Sequence, residues 1–119
     1  MQKELIFIGL GRMGLAMTTK LVEEGFTVHG FDVNGDSRQT ASDAGVGESN
    51  TIPEAINKMS GRKIIWLMVP SKFVDKVLSE MSDELKAGDI IIDGGNSFFK
   101  DSIRREAELS KLNLHYIDC

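Results

Sequence analysis

The chain alternates between continuous apolar runs and segments in which apolar residues recur at helical spacing. Residues 4–9 form a nearly continuous apolar run that ends in glycine, and residues 63–69 and 90–93 repeat the pattern. Such runs are typical of parallel strands that are covered on both faces. Residues 26–32 and 114–118 are expected to form further strands.

Helices are predicted between these strands. Met13, Ala16, Met17 and Leu21 recur at helical spacing, and Gly25 is a suitable end for that helix. Further helices are expected over residues 37–44, 51–59, 73–81 and 99–109.

The third of these helices has a well-marked start. Thr51 can cap it, Pro53 fits the first turn and Glu54 completes a capping box. The alternation of strands and helices predicts an α/β fold with a doubly wound, mostly parallel sheet. Because parallel crossovers are right-handed, we expect helices on both of its faces.

A glycine-rich loop joins the first strand to the first helix. Gly9, Gly11 and Gly14 form a complete G-x-G-x-x-G around Leu10, Arg12 and Met13. The first glycine permits a tight turn, the second lets the backbone approach phosphates, and the third lets the helix sit close to the strand. Free amides at the helix start would then face a pyrophosphate. The motif also occurs in turns without a ligand, but its place between a strand and a helix favours dinucleotide binding and a Rossmann-type sheet.

An acidic residue follows at the end of the second strand. Asp32 lies 18 residues after Gly14, close to the spacing of about 20 at which a carboxylate meets the adenosine ribose. A carboxylate there accepts from the ribose hydroxyls and repels a 2′-phosphate. Val33 and Asn34 offer no cation for such a phosphate, and Arg38 lies further along the chain. NAD is therefore favoured over NADP, although an Asp that merely ends a strand is the alternative.

Two more segments follow strands at the same edge of the predicted sheet, where ligands bind in such folds. In the first, Val69, Pro70 and Ser71 either contact a cofactor or simply end the strand. In the second, two glycines precede Asn96, whose amide offers both a donor and an acceptor. This second segment is either a ligand contact or a helix-capping turn.

Composition narrows the class of protein. The 119 residues carry a formal net charge of −4, without the basic stripe of a nucleic-acid binder. The longest apolar run, residues 64–69, is far below the roughly 20 residues that span a bilayer, and the start does not resemble a secretory signal. The one cysteine, Cys119, leaves no partner for an internal disulfide or metal cluster. A cytoplasmic domain is expected. Because the sequence stops directly after an apolar stretch, we also expect it to be part of a longer protein.

Two motifs resemble a known family. Residues 8–17 are similar to the N-terminal signature of the β-hydroxyacid dehydrogenases, and residues 91–97, with Lys100-Asp101 and Arg104-Arg105 downstream, resemble the 6-phosphogluconate dehydrogenases among them. Relatives that act on 3-hydroxyisobutyrate normally carry Ser-Thr where this chain has Gly-Gly-Asn. The resemblance covers the whole chain.

The resemblance implies a role for each motif. The loop at Gly9, Leu10, Gly11, Arg12, Met13 and Gly14 would bind the pyrophosphate, with Met13 near the nicotinamide. Asp32, Val33 and Asn34 would hold the adenosine ribose, and Val69, Pro70 and Ser71 would line the cofactor cleft. Asn96 would contact the nicotinamide side and the substrate, 6-phosphogluconate.

A departure from the commonest family pattern bears on the cofactor. NADP-using members have Asn-Arg-Thr where this chain has Asp32-Val33-Asn34. The chain therefore resembles the shorter, NAD-preferring branch.

The family reaction implies what lies outside these residues. It oxidises and decarboxylates 6-phosphogluconate to ribulose 5-phosphate, CO2 and NADH, with a general base and acid in an all-helical second domain that also builds a homo-oligomer. No catalytic residue is expected within residues 1–119, so the chain alone should bind NAD without turnover. The alternatives are a 3-hydroxyisobutyrate-type dehydrogenase, or a stand-alone NAD-sensing module.

Overall fold

Six strands and five α-helices alternate along the chain. The computed structural model describes residues 3–59, 61–95 and 99–118, leaving aside the side chains of residues 99 and 118. The strands are β1 (Glu4–Ile8), β2 (Thr27–Phe31), β3 (Gly47–Glu48), β4 (Ile64–Leu67), β5 (Ile90–Asp93) and β6 (His115–Asp118). The helices are α1 (Arg12–Glu23), α2 (Gly35–Asp43), α3 (Ile52–Asn57), α4 (Val74–Met81) and α5 (Phe99–Ser110), with 3-10 turns at Ser71–Phe73 and Ser82–Glu84.

The strands form one sheet in the order β3-β2-β1-β4-β5-β6, and every neighbouring pair is parallel. The direction in which strands are added reverses between β1 and β4. Strands β2 and β3 lie on one side of β1, whereas β4, β5 and β6 follow one another on its other side. A crevice opens at such a point, outside the carboxyl ends of the strands. The predicted doubly wound, Rossmann-type parallel sheet is confirmed.

Both faces of the sheet are packed, which explains the continuous apolar runs. In β1, Ile6 and Ile8 belong to a core cluster with residues of α3 and α4. Phe7 belongs to a second cluster that includes Val28 of β2 and Ala41 of α2. Successive side chains point to opposite faces of a strand, so a central strand covered on both sides needs an apolar residue at each position.

Strand β3 was not predicted from the sequence. It has two residues, Gly47 and Glu48, which are both exposed and pair with His29 and Gly30 of β2. Because an edge strand of this length has no buried side chain, it leaves no hydrophobic pattern.

The predicted apolar face of α1 was partly wrong. Met13 is 67% exposed and Ala16 is exposed, whereas Gly14 and Thr18 are the buried residues of the helix. The Thr18 hydroxyl donates to the Gly14 carbonyl at 2.9 Å. A glycine and an internally bonded threonine pack against the sheet here, and neither registers as hydrophobic in the sequence.

The helix starts follow their caps. Asn34 caps α2 by accepting from the amides of Asp36 and Ser37, so the helix begins two residues earlier than predicted. The Thr51 cap of α3 is confirmed, since its hydroxyl accepts from the Glu54 amide at 3.1 Å. Within the residues that the structure covers, no helix is both long and apolar enough to cross a bilayer.

Gly14 sets how closely α1 approaches β1. A Cβ built on Gly14 would clash with the Gly9 carbonyl oxygen, and it would lie 3.3 Å from the Phe7 ring. A Cβ on Gly11 would meet nothing within 4 Å. Gly14 is therefore required by packing within the fold, whereas Gly11 faces open space and has no such steric requirement.

Gly14→Ala is expected to destabilise the protein by about 1–3 kcal/mol, because the added methyl forces helix and strand apart. Gly11→Ala, the matched control, should stay within about 0.5 kcal/mol of the parent, as is usual for a substitution into open space. Urea unfolding measures both values. Equal stability of the two variants would contradict the proposed packing.

Candidate functional site: a cleft at the carboxyl edge of the sheet

The turn after β1 is fixed by backbone contacts. The Gly9 amide donates to the Phe31 carbonyl at 2.9 Å. Gly9 has φ +105°, and a Cβ on it would lie 2.5 Å from the Met68 carbonyl oxygen. Only glycine satisfies both the left-handed backbone and the close approach of the end of β4. The turn therefore packs tightly between the ends of β2 and β4.

Helix α1 starts directly at this turn without a capping side chain. Its N-cap is Gly11, and its first turn contains no acidic residue. The first amides of a helix lack partners within the helix, and they carry the positive end of the helix dipole. Because a Cβ on Gly11 would point into open space, an anion can approach these amides closely. This arrangement suits a phosphate or pyrophosphate.

Asp32 joins the glycine turn to the segment after β2. One carboxylate oxygen accepts from the Leu10 amide at 2.7 Å, and the other accepts from the Asn34 amide at 2.8 Å. An ionised carboxylate has about four acceptor positions, so both oxygens retain capacity for a hydroxyl donor. Leu10 itself is only 3% exposed and belongs to the core cluster that contains Phe7 and Val28.

The side chains of the two residues after Asp32 differ in their availability to a ligand. Val33 is 87% exposed and lines the cleft described below. The side-chain oxygen of Asn34 accepts from the amides of Asp36 and Ser37 at 2.8 and 3.1 Å. Asn34 therefore serves as a helix cap, and Val33 is the residue beside Asp32 that a ligand would meet.

Arg38 lies closer to Asp32 than its position in the sequence suggests. Its guanidinium donates to the Asp32 carbonyl at 2.8 Å, lies over the Phe31 ring at 5.8 Å and is 3.8 Å from the Glu48 carboxylate. The first turn of α2 brings it back beneath the end of β2. Its charge is already directed to the backbone carbonyl and to Glu48.

These elements enclose a cleft of about 570 Å³. Of the residues predicted to bind a cofactor, six line it: Gly9, Gly11, Asp32, Val33, Val69 and Pro70. Gly14 is buried beneath the loop, while Arg12 and Met13 are exposed at the start of α1. Ser71 is exposed in the 3-10 turn that precedes α4.

One wall of the cleft was not predicted from the sequence. It is formed by Ile52 at the start of α3, by Phe73, and by Lys76, Val77 and Glu80 of α4. The apolar members provide a surface for a flat ring, and the two charged residues lie one helical turn apart. The amphipathic pattern predicted α4, but it does not say that one side of the helix borders an open cleft.

The segment after β5 packs beside the end of β4. The Gly94 amide donates to the Leu67 carbonyl at 2.9 Å, and the Gly95 amide donates to the Asp93 carboxylate at 3.0 Å. Asn96 lies outside the described residues, so its predicted contacts with the nicotinamide and the substrate stay predictions.

Comparisons with known proteins agree with this geometry. The family model of the NAD-binding domain of 6-phosphogluconate dehydrogenase matches residues 4–119. The NAD(+)-dependent, decarboxylating 6-phosphogluconate dehydrogenase of Haloferax volcanii is 35% identical over 117 residues, which are 98% of this chain and 38% of the relative. The chain thus spans less than half the length of that relative.

Two solved structures share the fold. The 6-phosphogluconate dehydrogenase of Plasmodium falciparum, described with NADP+ and with 6-phosphogluconate, aligns with a TM-score of 0.87 at 26% identity, over 95% of this chain and 26% of that one. The 3-hydroxyisobutyrate dehydrogenase of Mycobacterium tuberculosis aligns with a TM-score of 0.89 at 24% identity, over 99% of this chain and 40% of that one. The match over residues 4–119 and the cleft at the glycine turn lead to one assignment: the chain belongs to the family of the NAD-binding domain of 6-phosphogluconate dehydrogenase, among the β-hydroxyacid dehydrogenases.

Proposed function

We propose that this chain is the cofactor domain of an NAD-dependent 6-phosphogluconate dehydrogenase. The observation that carries the choice of cofactor is the Asp32 carboxylate at the cleft, next to an uncharged, exposed Val33. The choice of reaction is supported by the Gly94-Gly95-Asn96 sequence and by the Haloferax relative. The whole protein would be a cytoplasmic homo-oligomer that acts on 6-phosphogluconate.

The residues of the cleft fit a dinucleotide. The amides at the start of α1 would hold the pyrophosphate, and Asp32 would accept from the ribose hydroxyls. Val33, Ile52, Phe73 and Val77 would cover the adenine. When bound, NAD supplies the acceptor for a hydride.

Charge would favour NAD over NADP in this cleft. Two like charges about 4 Å apart repel by roughly 1 kcal/mol in water and 4 kcal/mol near a protein surface. A 2′-phosphate beside Asp32 would meet this repulsion, and Arg38 is directed to the Asp32 carbonyl and Glu48 instead. The carboxylate would therefore weaken NADP binding in two ways, through the loss of its hydrogen bonds to the ribose and through repulsion of the 2′-phosphate.

NAD is expected to bind about tenfold or more tightly than NADP, since 1.4 kcal/mol corresponds to a factor of ten. Isothermal titration calorimetry on the 119-residue chain measures both dissociation constants. Equal affinity for the two dinucleotides would refute the role of Asp32, and the absence of binding to either would refute the assignment of the cleft.

Val33→Arg should lower the ratio of the NADP dissociation constant to the NAD dissociation constant about tenfold, because a cation on an exposed side chain would pair with the 2′-phosphate. Val33→Met is the matched control, with a long side chain and no charge, and it should leave the ratio of the two dissociation constants near that of the parent. If the arginine variant behaves like the methionine variant, residue 33 does not face the ribose.

Gly11→Ala is expected to weaken NAD binding about tenfold or more, since the methyl would occupy the space through which the pyrophosphate reaches the amides of α1. The unfolding midpoint of the same variant should remain close to that of the parent, which separates lost binding from lost folding. Unchanged NAD affinity would show that the phosphates lie elsewhere.

The 119-residue chain is expected to bind NAD without oxidising 6-phosphogluconate, because the family resemblance places the general base and acid in the second domain. The measurement is NADH absorbance after mixing chain, NAD and 6-phosphogluconate. A measurable yield of NADH would contradict the placement of the general base and acid in the second domain.

A further inference from the structure

A fully buried carboxylate lies next to the glycine pair after β5. Asp93 is 0% exposed. One of its oxygens accepts from the Tyr116 hydroxyl of β6 at 2.6 Å, and the other accepts from the Gly95 amide at 3.0 Å. The residue therefore connects strand β6 to the turn that leaves β5.

Arg105 of α5 completes the group. Its side chain is 3% exposed, and its guanidinium is 3.9 Å from the Asp93 carboxylate. It also donates to Asp75 of α4 at 2.9 Å. Burial by itself would lower the pKa of Arg105, but the hydrogen bonds with Asp75 and Tyr116 outweigh it and raise the pKa. The guanidinium thus remains charged inside the protein.

Burying the charged groups of this network costs free energy, and the cost is offset only when each group keeps its partners. A carboxylate taken out of water is tolerated only when it is paired and hydrogen-bonded. Burial, together with the hydrogen bond to Asp93, raises the pKa of Tyr116 to about 12. The hydroxyl therefore keeps its proton at physiological pH and can donate to Asp93.

The turn held by Asp93 packs closely against the end of β4 and the residues that follow it. A Cβ on Gly95 would lie 2.9 Å from the Val69 carbonyl oxygen, and a Cβ on Gly94 would collide with the Trp66 indole and come within 2.7 Å of the Met68 sulfur. Because Val69 lines the cleft, a displacement of the turn would also displace the cleft wall at Val69.

The sheet order shows which end of the cleft this affects. Asp32 lies at the end of β2 on one side of β1, and β4 and β5 lie on the other side. A dinucleotide with its adenosine ribose at Asp32 and its pyrophosphate at the start of α1 extends toward β4 and β5. Its nicotinamide would therefore lie against the braced turn.

We propose that Asp93, Tyr116 and Arg105 form a brace that positions the Gly94-Gly95 turn, and thereby the nicotinamide half of the site, without contacting the cofactor. The brace rests on the proposed function, since it presupposes that a dinucleotide occupies the cleft. These three are positioning residues. Their removal should affect the nicotinamide half and spare the adenosine half.

The test compares NAD with ADP-ribose, which lacks the nicotinamide. In the parent chain NAD should bind more tightly than ADP-ribose. Tyr116→Phe keeps the ring and removes the donor. The Gly94-Gly95 turn is then less well ordered in the free chain and must be ordered when NAD binds, so NAD binding should weaken about tenfold. The variant's dissociation constant for ADP-ribose should stay within about a factor of two.

Two further variants separate the brace from general destabilisation. Gly95→Ala displaces the turn directly and should reproduce the selective loss of NAD. Arg104→Gln, which removes the exposed neighbour that pairs with Asp75 at 2.9 Å, should change neither affinity. The emission of Trp66, the single tryptophan of the chain, should shift in Tyr116→Phe and Gly95→Ala but not in Arg104→Gln, because Gly94 packs on its indole.

Several outcomes overturn the brace. They are equal affinity of the parent for NAD and ADP-ribose, an unchanged NAD affinity in Tyr116→Phe, or an equal loss of both ligands in that variant. Failure of the parent to bind either ligand overturns the proposed function instead, so the two failures are distinguishable.

Discussion

The site depends on the close approach of α1 to the end of β1. Gly14 packs directly on the carbonyl of Gly9, leaving no room for a side chain between helix and strand. This contact places the uncapped start of α1 at the crevice where the strand order reverses. The Asp32 carboxylate then holds the loop from the other side through the Leu10 amide. The helix start proposed to hold the pyrophosphate and the carboxylate proposed to accept from the ribose are thus joined through one turn.

The two halves of the cleft are built by different means. On the side of β2, local features suffice, because Asp32 follows directly from the strand and Val33 from Asp32. On the side of β4 and β5, the wall at Val69 is supported from behind by the glycine turn, and that turn is held by a buried carboxylate on β5, a hydroxyl on β6 and a guanidinium on α5. The second half of the sheet thus acts as a support for the cleft as well as a part of the core.

The sequence predicted those features whose cause is local. Central strands covered on both faces need apolar residues throughout, and a helix packed on a strand needs glycine at a fixed position in the turn. The apolar runs and the Gly9, Gly11 and Gly14 spacing therefore led to the parallel sheet and the loop. Strand β3 was missed because it is a two-residue exposed edge. Met13 was placed on the apolar face of α1 but is exposed, since the buried residues of that helix are Gly14 and Thr18.

The remaining features depend on contacts between residues far apart in the chain. Nothing in the spacing of Ile52, Phe73 and Glu80 indicates that they share a wall of the cleft. Similarly, Asp93 and Tyr116 meet only because β5 and β6 pair in register. Arg38 reaches the Asp32 carbonyl because Asn34 starts α2 early enough to bring it back.

The most direct test of the account is to follow backbone amide chemical shifts while NAD is added to the isotopically labelled chain. If the dinucleotide binds at the glycine turn, the largest changes are expected at the amides of Gly11, Arg12 and Met13, at the start of α1, with further changes at Val33. Little change is expected along the solvent-exposed side of α5. Large shifts confined to α5 and β6, with the start of α1 unaffected, would show that the dinucleotide binds elsewhere and would contradict the central claim.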